Sequence, residues 1–157
     1  MLHRDIVTTQ KATEAPGNFG PFQPWFFFGV AVVEIVMMTA FGFVVIKSII
    51  HRKKIEDHSW WLISTVFIIM MPALGRGIQN IYVDMHRSEW PHINIMLPLY
   101  FMEALIIGML LAGAWKYGKL KHPATWLALG VNLFNFLLEP IGRSEEMQQV
   151  LKAVIKG

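Results

Sequence analysis

The sequence predicts an all-α polytopic membrane protein: a four-helix transmembrane bundle with a C-terminal amphipathic helix. Of the 157 residues, 54% are hydrophobic and only 16% are charged, whereas soluble domains carry about 25% charged residues. The apolar residues are concentrated in blocks, and about 20 consecutive apolar residues suffice to cross a bilayer. The basic residues gather mostly in two short loops between these blocks, which is typical of membrane topology rather than of nucleic-acid binding.

The first span is predicted over residues 25–50. It follows a polar segment, residues 1–20, whose Pro and Gly residues favour a surface arm. Trp25 to Phe28 form an aromatic belt at the start of the span, where such residues prefer the membrane interface. Glu34 lies about 13–14 Å inside this belt at 1.5 Å per residue.

The second span is predicted over residues 60–82. Pro72 interrupts its backbone hydrogen bonding, so we expect a kink there. Arg76, Asn80 and Asp84 are spaced i, i+4, i+8 and therefore share one helix face.

The third span is predicted over residues 93–115, with Glu103 as the one charge of its apolar run, about 15 Å from the span's start. Four glycines are expected at close helix contacts: Gly75, Gly77, Gly108 and Gly113.

The fourth span, predicted over residues 123–141, is the most polar. Asn132, Asn135 and Glu139 lie on one face, and Pro140 disturbs the helix. We expect this span either to be surrounded by protein or to cross only partly. Residues 21–143 then form the transmembrane domain, and residues 144–157 form a helix with an apolar stripe. That helix lies on the membrane surface or docks a partner subunit.

The positive-inside rule predicts the side of each loop. Positive charge is densest in loops 51–59 and 116–122, which places both in the cytoplasm and both termini on the opposite side. This arrangement brings the acidic and amide residues of separate spans to one level of the bilayer. Because lipid does not tolerate such groups, we expect them to converge inside the bundle.

The convergence has two interpretations. An arginine and several carboxylates can form a buried network that only fixes helix packing. Alternatively, they line a pocket in which one carboxyl group holds a proton at neutral pH, because neighbouring carboxylates cannot all ionise at low dielectric. In the second interpretation the catalytic candidates are Glu34 and Glu103. The ligand-binding candidates are Arg76, Asn80, Asp84, Asn132, Asn135 and Glu139.

The loop after the second span offers a weak metal motif. His86 and His92 lie near Asp84 and Glu89, but their spacing matches no strong ligand pattern, and a solvated loop is favoured. The chain has no cysteine, so thiolate metal sites and thiol catalysis are excluded. We predict no cofactor and no metal.

Residues 34–118 resemble the EXPERA superfamily, the emopamil-binding and sterol-isomerase group. The matching features are a glutamate early in one span (VVEIVMM), a basic loop, a span ending QNIYVD, and a histidine-bearing loop that leads to LYFMEAL. The resemblance implies a small helical membrane protein that binds a lipophilic or cationic amphiphilic ligand. It also implies that Glu34 acts as the acid or cation stabiliser and that Glu103 lines the pocket.

The leading functional prediction is a pocket that binds a lipophilic isoprenoid or sterol-like molecule, with isomerisation or cyclisation by protonation as its enzymatic form. The second is a non-catalytic accessory subunit of a larger membrane complex. The third is a proton-coupled small-molecule transporter, which would act as a homodimer. The predicted partners are the lipid bilayer, the lipophilic molecule and other membrane subunits or a second copy, with no nucleic acid.

Overall fold

The computed structural model describes Phe22 and residues 24–89, 92–146 and 148–149, which form helices and turns without a strand among them. The helices are α1 (Pro24–Ile50), α2 (Ile55–Met70), α3 (Arg76–Met85), α4 (Leu97–Lys116), α5 (Pro123–Asn135) and α6 (Leu138–Arg143). A π-helical turn, Met71–Gly75, joins α2 to α3, and a short 3₁₀ turn, Arg87–Glu89, follows α3. The predicted arm 1–20 and most of the predicted helix 144–157 lie outside the described residues.

Three helical segments are long and apolar enough to cross a membrane: Pro24–Ile50, the continuous run Ile55–Met85, and Leu97–Lys116. Their exposed faces carry large apolar side chains, among them Ile46, Leu62 and Phe101. An apolar surface of this extent is expected of helices that face lipid. The prediction of helices able to span a membrane is therefore confirmed for three segments, by their length and composition.

The predicted irregularity at Pro72 appears as the π-helical turn. Proline cannot donate the hydrogen bond that an α-helix requires, and one-turn π-bulges are a common way of absorbing such a defect. The turn begins at Met71 with Pro72 in its first positions, and regular helix resumes at Arg76.

The predicted fourth span is divided into two helices. The 13 residues of α5 extend about 20 Å, which is less than the roughly 30 Å of a hydrocarbon core. The amides of Phe136 and Leu137 bond three residues back, to Leu133 and Phe134. Pro140 has no amide hydrogen to give to the carbonyl of Phe136, so the regular α-helix ends at Asn135 and α6 begins at Leu138.

The short α6 packs against the start of α1. A Cβ added to Gly142 would overlap the carbonyl oxygen of Trp25, and one added to Gly29 would overlap that of Leu138. The guanidinium of Arg143 also lies over the Trp25 ring, 4.4 Å from its centroid. Two glycines thus allow the backbones of α1 and α6 to meet.

Glycine packing was predicted at other positions, and this prediction is mostly wrong. Gly75 does contact Leu99, at 3.2 Å for an added Cβ. Gly77 and Gly108 have no atom within 4 Å of an added Cβ, and Gly113 meets only the edge of Trp60, at 4.0 Å.

The two basic loops meet at one end of the bundle. Lys119 Nζ lies 3.5 Å from a carboxylate oxygen of Glu56, and His122 Nε2 lies 3.7 Å from Asp57. Trp60 donates its indole hydrogen to Thr125 over 2.9 Å. Loops 51–59 and 116–122 therefore lie at the same end of the bundle.

His122 caps the N-terminus of α5. Its Nδ1 accepts a hydrogen bond of 3.2 Å from the amide of Ala124. Burial lowers the pKa of His122 below its ordinary 6.5; the neighbouring Asp57 carboxylate raises it, and Lys119 and His51 add to the lowering. The neutral ring, with Nδ1 as an acceptor, is the form that this cap uses.

Candidate binding pocket and buried polar pairs

A pocket opens between α1, the π-helical turn, α3, α4 and α6, with a cavity volume of about 220 Å³. Its apolar lining comprises Phe22, Phe26, Phe27, Val30, Val33, Met37, Met71, Pro72, Leu99 and Leu138. Its polar lining comprises Glu34, Arg76, Gln79 and Asn80. Apolar walls around a few polar groups are typical of small-molecule sites.

An ion pair lies in the pocket wall. Arg76 Nη2 donates to Glu34 Oε1 across the space between α3 and α1. The Glu34 side chain is only 5% exposed, whereas that of Arg76 is 32% exposed. The arginine therefore compensates a buried carboxylate while part of its own side chain stays exposed and lines the pocket.

The π-helical turn prepares this contact. It adds backbone between α2 and α3, so it changes the direction in which side chains beyond Pro72 point. Arg76 is the first residue of α3. It lies directly after the turn and lines the pocket.

Gln79 is a pocket residue that the sequence prediction did not include among its binding candidates. It is 3% exposed, and its Nε2 donates to the carbonyl of Ile95 over 3.0 Å. This bond ties α3 to the segment before α4. The available signal was its place beside Asn80 on the polar end of the second span.

Glu103 forms a different pair. Asn135 Nδ2 donates to Glu103 Oε1 over 3.1 Å, and the two residues are 1% and 3% exposed. Neither is among the residues that line the pocket. The predicted convergence of Glu34, Glu103 and Glu139 on one cavity is therefore not what the structure shows.

The predicted depth of Glu103 also needs correction. Helix α4 begins at Leu97 rather than near residue 93, because Asn94 Oδ1 accepts a hydrogen bond from the amide of Met96 and holds a turn there. Glu103 is the sixth residue after Leu97, so it lies about 9 Å along the helix from its start, instead of about 15 Å.

Asn132 and Glu139 join helices outside the pocket. Asn132 is fully buried, and its Nδ2 donates to Ala128 of its own helix and to the carbonyl of Phe67, over 2.7 and 3.4 Å. Glu139 accepts from Tyr100 over 3.2 Å and from Arg143 Nε over 3.0 Å. Neither residue lines the pocket.

The remaining candidates lie at the surface. Asp84 is exposed and pairs with Arg87 over 3.0 Å. His86 Nδ1 contacts the carbonyl of Tyr82 over 2.9 Å, and His92 is exposed. Within the described part of the chain, no three His, Asp or Glu residues lie close enough together to hold a metal ion.

The pocket has to be interpreted on its own geometry. No protein-family model, curated protein or solved structure matches the chain. The resemblance to the EXPERA superfamily therefore stays a prediction.

Proposed function

We propose that this chain is an integral membrane protein that binds a lipophilic molecule with a polar end in the pocket beside Glu34 and Arg76. The molecule is of the isoprenoid or sterol-like class. In this proposal α5 and α6 together complete a fourth membrane segment, and the C-terminal segment is amphipathic. The loops 51–59 and 116–122 face the cytoplasm, with the termini opposite.

The observation that carries the proposal is the position of a buried ion pair inside an apolar pocket. Arg76 can donate to a ligand oxygen, Glu34 can accept from a ligand hydroxyl, and the Asn80 amide can do either. A hydroxyl group both donates and accepts, so it matches this set. The phenylalanines and Met37 provide the apolar walls that an isoprenoid or sterol-like skeleton needs.

The size of the cavity determines how such a molecule would bind. Its volume of about 220 Å³ is below the roughly 300–1,000 Å³ of typical ligand pockets. The pocket therefore takes the polar end and the first part of the skeleton. The remainder of the molecule lies along the lipid-facing surface of the bundle.

The geometry supports binding more directly than catalysis. Isomerisation or cyclisation by protonation requires an acid beside the ligand. Glu34 faces the pocket but is compensated by Arg76, and Glu103 is not part of the lining. Glu34 is thus the carboxyl group that an enzymatic form of this proposal would use. The accessory-subunit and transporter hypotheses remain predictions from the sequence.

Photolabelling tests the proposal. The full chain is placed in lipid nanodiscs with photoreactive analogues of geranylgeraniol and of cholesterol, and labelled peptides are mapped by mass spectrometry. Val30 lines the pocket, whereas Ile35 on the same helix is 48% exposed outside it. Val30→Phe should lower labelling of pocket peptides about five-fold, corresponding to about 1 kcal/mol of lost affinity, and Ile35→Phe should not.

The matched pair of variants separates specific binding from lipid contact. Both variants place a phenyl ring on α1, and melting temperatures in the nanodisc verify that each variant is folded. Labelling that is equal in the parent protein, Val30→Phe and Ile35→Phe would contradict the proposal.

A further inference from the structure

The Glu103–Asn135 pair contains more acceptors than donors. Asn135 Nδ2 satisfies Glu103 Oε1, but Glu103 Oε2 and Asn135 Oδ1 are both buried without a hydrogen-bond donor among the described residues. Asn132 Oδ1, one turn earlier on α5, is also buried without a hydrogen-bond donor among the described residues. Buried polar atoms without partners are costly and rare in folded proteins.

Among the residues that the structure describes, no cation pairs with Glu103. None of the ion pairs among the described residues includes it. On the neighbouring α3, Arg76 is engaged with Glu34 of α1, and on α6 Arg143 is engaged with Glu139. The ionisable residues of α2 lie in its first turn, beside the basic loops; they are Glu56, Asp57 and His58. Helix α5 contributes amides and no charged side chain to this contact.

We propose that Glu103 and Asn135 form a buried proton-binding site in which a carboxylic acid pairs with a primary amide through two hydrogen bonds. Water supplies the proton, which binds Glu103 Oε2 and is donated to Asn135 Oδ1, while Asn135 Nδ2 continues to donate to Oε1. One proton thereby turns two unpartnered acceptors into a donor and its acceptor. No electron transfer or other reactant is involved.

The site lies at a contact between helices. Its two members come from α4 and α5, and Glu103 is one helical turn from Leu99, which lines the pocket. Loss of the proton would leave a buried anion beside the amide oxygen of Asn135, with no cation paired to it among the described residues, so the α4–α5 contact would weaken. The stability of the α4–α5 contact thus depends on this proton. The site lies next to the pocket, but it does not depend on what the pocket binds.

Infrared spectroscopy of the full chain in nanodiscs tests the site. At about pH 7, where an exposed glutamate is ionised, the parent protein should show the C=O stretching band of a protonated carboxyl group. Glu103→Gln should remove this band and Glu34→Gln should not. Absence of the band in the parent protein, or its persistence in Glu103→Gln, would overturn the proposal.

Two further measurements test whether Glu103 shares its proton with Asn135 and whether the site binds a metal cation instead of a proton. Asn135→Leu should shift the band, because the carboxyl group loses both hydrogen bonds; an unshifted band would contradict the pairing. Replacing Na⁺ by choline at constant pH should leave the melting temperature unchanged. A Na⁺-dependent melting temperature that disappears in Glu103→Gln would show that the Glu103–Asn135 site holds a metal ion instead, and would overturn the proposal.

Discussion

Glu34 and Glu103 are both buried glutamates in apolar helices, yet their surroundings differ in charge. Glu34 is 4% exposed and meets a guanidinium in the wall of a pocket. Glu103 is 1% exposed and meets an amide in the contact between two helices. The same residue type therefore has two chemical settings within one bundle.

The difference shows that the partner, more than the depth of burial, determines what a membrane carboxyl group can do. A carboxylate with a partly exposed arginine can remain charged and offer that pair to a ligand. A carboxyl group whose hydrogen-bond partner is a neutral amide meets the hydrogen-bonding needs of its site by holding a proton. Variants that change one setting should leave the other intact.

The largest effect is expected from Arg76→Met. Removing one partner of a buried ion pair costs about 3–5 kcal/mol. Because 32% of the Arg76 side chain is exposed, we expect the loss of its ion pair with Glu34 to lower the free energy of unfolding by about 2–3 kcal/mol. Denaturant titration of the protein in micelles measures the change.

The matched control is Arg87→Met. Its pair with Asp84 is exposed, at 73% and 72% of the two side chains, so its loss should cost less than about 1 kcal/mol. Adding Glu34→Gln to Arg76→Met should restore most of the stability. Equal losses in Arg76→Met and Arg87→Met would remove the distinction between a buried and a surface carboxylate.

Gly142→Ala should act on the pocket and leave the Glu103 pair unchanged. The added methyl group meets the backbone of Trp25, and overpacking of this kind costs about 1–3 kcal/mol. Because α6 carries Leu138 of the pocket wall, photolabelling should change while the infrared band of the Glu103 carboxyl group stays.

The matched control is Gly108→Ala. A Cβ has open space there, so this variant should be neutral or stabilising by up to about 1 kcal/mol. Equal stability losses in both alanine variants would contradict the close approach of α1 and α6.

His122→Ala probes the end of the bundle away from both glutamates, and loss of the cap should cost about 1 kcal/mol. The pKa of His122 is lowered from 6.5 in the folded state. Its stabilisation is therefore complete above pH 6.5 and is lost as the pH falls through the lower folded-state pKa. Thermal melts between neutral and acidic pH should show this loss, and His122→Asn, which caps without titrating, should reduce it. If His122→Asn shows the same pH dependence of stability as the parent protein, titration of His122 is not its cause.

Glu103→Gln should have the smallest effect, below about 1 kcal/mol, because the new amide can accept at its oxygen and donate to Asn135 Oδ1. Its denaturant titration is compared with that of Glu34→Gln, which leaves Arg76 without its carboxylate. The variant at position 34 should be the less stable one. If Glu103→Gln were the less stable variant, the account of Glu34 as the charged carboxylate and Glu103 as the protonated one would be contradicted.

The sequence predicted the three long apolar helices and the irregularity at Pro72, because both depend on local chemistry. Apolar length determines membrane-crossing helices, and proline disrupts helical hydrogen bonding wherever it occurs. Helical periodicity predicted one face for Arg76, Asn80 and Asp84; the first two line the pocket, whereas Asp84 is exposed and pairs with Arg87.

The partners of the other polar residues did not follow from the sequence. Whether Glu103 meets Glu34 or Asn135 depends on how each helix is rotated about its axis, and side-chain packing across the bundle determines that rotation. The break at 136–137 redirects Glu139 to Tyr100 and Arg143. The contact between Gly29 and Gly142 depends on the same redirection.

A density map of the protein purified from native membranes tests the central claim, which is that the Glu34–Arg76 pocket holds a lipophilic molecule. The account predicts elongated density between Phe26, Met37 and Leu99, with its polar end at Arg76. A pocket without such density, in which the aromatic side chains close over the ion pair, would contradict it.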